Sequence, residues 1–181
     1  MDSSSFLIKE YEALQNDSKR KFPSVAKICK STINTLKKSN KDIEVLCKSL
    51  LAPIEEVFEI KAQKVYSNAL FTLGKLWMTS YLTKKGALRV VEIINSAYSP
   101  SPKGNLNSSL TDEMTQIHVL QIIMGWLSPI KFSMSETFVE NVLSILLHLH
   151  NCKAKSVMST TKAALNQLFS LVINDLINRE K

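Results

Sequence analysis

The chain has 181 residues, 45% hydrophobic and 22% charged. That suits a single globular domain, able to bury roughly 70% of its unfolded surface without a metal or disulfide staple. Four glycines and five prolines exclude collagen-like, low-complexity and turn-rich all-β classes. A formal net charge of +7 favours acidic partners, whether nucleic acid, an anionic membrane or an acidic protein surface.

The apolar period is helical nearly everywhere. A first helix is expected from about Ser5 to Ser18, with Leu7, Tyr11 and Leu14 on one face. A second follows Phe22-Pro23, because proline suits the first helical turn; its apolar face is Val25, Cys29, Thr32, Ile33 and Leu36. Ser39-Asn40-Lys41-Asp42 reads as a capping box that starts a third helix near residue 40, carrying Ile43, Leu46, Cys47 and Leu50. Pro53 is expected to break it, since proline donates no intrahelical hydrogen bond, and Glu55-Glu56 then suits the positive end of a short helix. A fourth helix spans about Lys61 to Thr79, with Val65, Ala69, Leu73 and Leu76 inward.

Thr83 begins a fifth helix, burying Leu88, Val91 and Ile94 or Val90. Ser99 to Ser108, with two prolines and a glycine, is the clearest loop. Ser109-Leu110-Thr111-Asp112 caps a sixth helix ending near Leu127. Ser133-Met134-Ser135-Glu136 caps a seventh ending near His150, which should be central because Leu146, Leu147 and Leu149 lie on both its sides. A last helix covers about Ser156 to Arg179, with Leu165, Leu168, Val172 and Leu176 inward and Asn166, Ser170 and Asn174 opposite. The methionines are expected as core fillers. Paired, these helices make units near the roughly 40 to 47 residues of armadillo and HEAT repeats. The expected fold is therefore all-α, an armadillo/HEAT-like right-handed α-solenoid of seven to eight helices forming a single domain over 1–181, with a closed bundle as the alternative.

Three widely spaced cysteines, Cys29, Cys47 and Cys152, without a C-x-x-C, argue against a disulfide framework and for a reduced, intracellular chain. Cys152 with His148 and His150 is the one local cluster of metal-ligand types; lacking a fourth ligand, it reads as an ordinary helix end, and no metal or cofactor is expected. The opening Met1-Asp2-Ser3-Ser4-Ser5 has no signal-peptide pattern, and the most apolar stretches are too short to span a bilayer. Phosphate-loop, dinucleotide, zincin and nucleophile-elbow motifs are all absent, and His118 reads as a half-buried packing residue. The expectation is a non-enzyme.

One segment stands out. Between Ser18 and Lys41 lie eight cations, Lys19, Arg20, Lys21, Lys27, Lys30, Lys37, Lys38 and Lys41, and no acidic residue. They exceed the whole net charge. On the second helix the lysines recur at helical spacing opposite Val25, Cys29 and Leu36. Such a face suits an anionic leaflet, at about 1 kcal/mol per close cation, or an acidic protein; a plain solvated lysine surface carries about equal weight. Nucleic acid is the weaker option, because only Phe22 offers an aromatic there.

These segments carry a family resemblance. Lys19-Arg20-Lys21-Phe22-Pro23-Ser24-Val25 resembles a basic-Phe-Pro-x-Val opening of a second helix. Thr111 to Leu127, with Asp112-Glu113 and Leu120-Gln121, resembles an acidic start followed by an apolar Leu-Gln helix. Leu149-His150, Thr160-Thr161-Lys162-Ala163-Ala164 and the Leu168 to Leu176 helix resemble a Leu-His and Thr-Ala-Ala end. Together they are similar to the N-terminal dimerisation and cyclophilin-binding (DCB) domain of the large Arf guanine-nucleotide exchange factors, and within that group to the Mon-two Golgi scaffolds. The resemblance implies an armadillo-like, non-catalytic domain, an N-terminal fragment of a much longer protein. It implies self-association, an Arf-like small GTPase and a Dopey-type scaffold as partners, and a peripheral place at trans-Golgi and endosomal membranes. The alternatives are the regulatory N-terminal domain of a true exchange factor and a generic armadillo-like adaptor with a basic face.

Overall fold

The helical periodicity becomes helix throughout the described residues. The structure, a computed structural model, describes residues 3–38, 42–98, 112–127 and 135–179. Among them are eight α-helices: α1 (Ser3–Ser18), α2 (Pro23–Lys37), α3 (Ile43–Glu59), α4 (Tyr66–Trp77), α5 (Lys84–Tyr98), α6 (Glu113–Trp126), α7 (Glu136–His150) and α8 (Lys155–Arg179). A short 3-10 turn, Gln63–Val65, leads into α4, and the described residues include no strand. Lys41 and the Ser99–Ser108 loop lie outside the described residues.

The starts follow their caps. Asp42 accepts from the Glu44 and Val45 amides at 2.9 and 3.3 Å, so α3 begins at Ile43. Asp112 accepts from the Thr115 amide at 3.0 Å and Ser135 from the Phe138 amide at 3.3 Å. Each side chain satisfies an amide that the first helical turn leaves without a carbonyl partner.

Two compact units result, Met1–Val90 and Val91–Lys181, each built helix on helix. In the first, α1 packs on α2, α2 on α3 and α3 on α4, and α1 also lies along α4. The last two run antiparallel: Asn68 donates to Asp17 at one end, Ser4 and Tyr81 share a 2.7 Å hydrogen bond at the other, and the Lys75 ammonium stands 5.4 Å from the Phe6 ring centre. The expected apolar faces of α1, α2 and α4 are all buried. The sequential α1–α2, α2–α3 and α3–α4 contacts are of the kind by which helical repeat arrays bury their faces, and the α1–α4 contact is added to them.

Pro53 does not break the chain; it sits inside α3. A proline there removes the N–H that the Ser49 carbonyl would accept, and its ring crowds the same turn. Side chains from the neighbouring helices fill the gap. Thr32 Oγ1 donates to the Ser49 carbonyl at 2.8 Å, and Tyr11 Oη donates to the Leu50 carbonyl at 2.5 Å. The Leu50 carbonyl is buried and the Ser49 carbonyl partly so, and a polar backbone group shielded from water is costly to leave without a partner. Glu55 and Glu56 therefore lie mid-helix rather than at a helix start, and Glu55 takes Arg89 of α5 at 2.7 Å.

The end of α3 is also unusual. Lys61 has φ 53°, the left-handed region. The Lys61 amide bonds to the Phe58 carbonyl at 3.2 Å and the Ala62 amide to Val57 at 2.9 Å. This is the Schellman pattern, with lysine where glycine is usual. A side chain in that region costs on the order of 1 kcal/mol. Lys61→Gly should therefore raise the stability of the chain by about 1 kcal/mol, read as a higher denaturant midpoint; an unchanged or lower midpoint contradicts the motif.

In the second unit α7 packs on α8, and α6 on α8. Asn95 donates to Asn141 at 2.6 Å, Gln167 to the Leu127 carbonyl at 3.0 Å, and the Trp126 and Phe138 rings meet edge to face. Three expectations need correction. α7 is not apolar-buried all round: Leu146 and Leu149 are buried but Leu147 is exposed. Leu176 of α8 does not point into a core; burial on α8 stops at Leu168, and Leu165 and Val172 are only half-buried, because among the described residues nothing covers the rest of the helix. Met78 and Met114 are surface residues rather than core fillers.

Candidate functional site

Lys19, Arg20 and Lys21 occupy the turn between α1 and α2, and all three are exposed. The turn is fixed by the Phe22 amide donating to the Ser18 carbonyl at 2.8 Å, and Pro23 then opens α2. Val25, Cys29, Thr32, Ile33 and Leu36 go inward. At 3.6 residues per turn, Lys27, Lys30, Lys37 and Lys38 fall within roughly a 100° arc on the opposite side. All four are exposed, and none forms an ion pair among the described residues. Lys37 sits in the last turn of α2, where the helix dipole favours a cation. Seven of the eight cations singled out from the sequence are thus placed in solvent; Lys41 is the eighth.

The structure adds one cation that the sequence segment does not contain. The Lys64 side chain, by a hydrogen bond to the Lys21 amine and then by its like charge, pulls the Lys21 pKa below the ordinary lysine value. Lys64 lies in the turn before α4. The fold therefore brings the α1–α2 turn and the α3–α4 connection together at one end of the first unit. Antiparallel α1 and α4 require that meeting. Neighbouring like-charged amines add to the local positive potential, which exposed surfaces express over about 10 Å at moderate salt.

The remaining reactive groups are quiet. Burial pushes the Cys29 thiol up to about 12, so it stays neutral at ordinary pH. Burial also raises the Cys152 thiol, which accepts a hydrogen bond from Gln116 Nε2 at 3.1 Å. The His148 ring is tilted against Tyr98 at 5.6 Å between centres. Among the described residues no group of three His, Cys, Asp or Glu is placed to hold a metal, and no helix is long and apolar enough to cross a membrane. His118 is half-buried on α6.

Stacked amphipathic helices carrying a solvated basic face define a helical interaction domain. A family model described as Mon2/Sec7/BIG1-like, dimerisation and cyclophilin-binding domain matches residues 2–180, and the chain belongs to this DCB family. No curated protein and no solved structure gives a significant match.

Proposed function

We propose that the chain is a non-catalytic scaffold domain of a Golgi–endosome vesicle-trafficking protein, peripheral at trans-Golgi and endosomal membranes. It docks acidic surfaces, an anionic leaflet first among them, through Lys19, Arg20, Lys21, Lys27, Lys30, Lys37, Lys38 and Lys41. An Arf-like small GTPase and a Dopey-type scaffold are the protein partners in keeping with this family. The observation that carries the reading is the run of seven described cations, all in solvent, with no carboxylate interleaved. Flotation with phosphatidylcholine vesicles, with and without phosphatidylserine, tests it. Binding should require phosphatidylserine and fall as salt shortens the Debye length. Equal binding to neutral vesicles contradicts it, and tight sequence-independent oligonucleotide binding with a steep salt slope transfers the face to nucleic acid.

Self-association is the second reading, favoured by α8. Phe169, Ile173, Leu176 and Ile177 are each about half exposed, at i, i+4, i+7 and i+8. Their flanks are mostly uncharged Asn and Ser, so an apolar helix of a second copy suits them better than a charged partner. Dimerisation also stands in the family's description. Sedimentation over a concentration series should show a monomer–dimer equilibrium, weakened about tenfold or more by Ile173→Asp with Leu176→Asp, since buried apolar contacts of this size carry a few kcal/mol. A concentration-independent monomer contradicts this use of α8.

A further inference from the structure

We propose that a groove between α3 and α5, on the first unit, is a docking site for an acidic peptide segment that inserts one large apolar side chain. The groove is apart from the lysine face of α2, and its reading does not depend on membrane binding.

The two helices draw together at Gly86. A Cβ built there would collide with Cys47 Sγ and lie 3.4 Å from a Leu51 methyl, so only glycine allows this approach. Thr83 fixes the base, with its hydroxyl accepting from the Gly86 amide at 3.1 Å and pointing to Cys47 Sγ at 3.7 Å. Thiol, leucine and glycine line a cavity of about 250 Å³. Small-molecule sites run roughly 300 to 1,000 Å³. The space is therefore scaled to one large side chain rather than to a cofactor, the usual form of an anchor at a protein interface.

The rim sets the charge of the partner. Glu44, Lys48, Glu55, Lys85 and Arg89 surround the opening. Arg89 and Glu55 form a 2.7 Å ion pair and largely cancel. Lys48 and Lys85 then face a single carboxylate, Glu44, and neither lysine forms an ion pair among the described residues. The surplus is positive, which selects carboxylates beside the anchoring side chain. Ile43 and Val45, at 46% and 51% exposure, flank Glu44 in the chain and add apolar surface at the start of α3.

The test uses the full 181-residue chain, isotopically labelled, titrated with the synthetic peptide Asp-Asp-Phe-Asp-Asp and followed by NMR. Shifts should centre on the Cys47, Leu51, Thr83 and Gly86 amides. Replacing the peptide phenylalanine by serine should abolish them. Lys48→Glu with Lys85→Glu should weaken binding about tenfold or more, and charge reversal on α2 should leave it unchanged. Absence of shifts at millimolar peptide overturns the proposal, as do shifts centred on the α2 lysines or equal binding of the serine peptide. The peptide variant keeps the test decisive even where a protein variant folds poorly.

Discussion

Replacing Lys27, Lys30 and Lys37 together by glutamate is expected to weaken binding to anionic vesicles by about 100-fold or more. Each lysine near an anionic surface contributes about 1 kcal/mol, so neutralising three removes about 3 kcal/mol, and reversal adds repulsion. The fold should hardly notice. All three side chains are exposed, the helix buries the opposite face, and none of the three takes part in an ion pair among the described residues. The one structural cost comes from Lys37→Glu, which puts a carboxylate in the last turn of α2. A negative charge there opposes the helix dipole by about 0.3 to 1 kcal/mol. Vesicle flotation alongside thermal unfolding separates the two effects. Undiminished binding by a folded variant reduces the lysines to plain solvated surface.

The second large effect is expected in the core. Tyr11→Ala should destabilise the chain by about 4 kcal/mol, the range of buried aromatic deletions. Tyr11 is fully buried, and burial holds its phenol well above the ordinary tyrosine pKa, so it remains a neutral donor. Its hydroxyl supplies the Leu50 carbonyl beside the Pro53 turn. Tyr11→Phe keeps the ring and removes only that bond, and should cost about 1 to 2 kcal/mol. Denaturant unfolding of both variants checks the difference. An unchanged stability in Tyr11→Phe would mean that the hydroxyl has no part in holding the proline turn.

That proline also marks where local reading stops. The helices are legible because apolar residues recur at helical spacing, but the capping boxes read from the sequence place the starts early: the caps of α3, α6 and α7 are Asp42, Asp112 and Ser135, later members of each four-residue box rather than its first. Pro53 reads as a break because the rule counts only donors within its own helix. The donors that rescue α3 come from Tyr11 on α1 and Thr32 on α2, far away in the chain. Leu147 and Leu176 look buried in the sequence for a related reason: an apolar stripe records what a helix can bury, not whether a partner is there. The basic segment is legible as a run of charge. Its junction with Lys64 is not, because that contact exists only once α1 and α4 run antiparallel. The α3–α5 groove is hidden for the same cause: Gly86 looks like a helix-weakening residue until Cys47 is placed against it.

Paramagnetic broadening of amide signals by spin-labelled lipid, in phosphatidylserine-containing nanodiscs, asks directly which surface meets the membrane. Broadening should be strongest from Lys19 to Lys38 and around Lys64, and should disappear in high salt. Broadening centred on α8, or spread evenly over both units, would contradict a basic docking face.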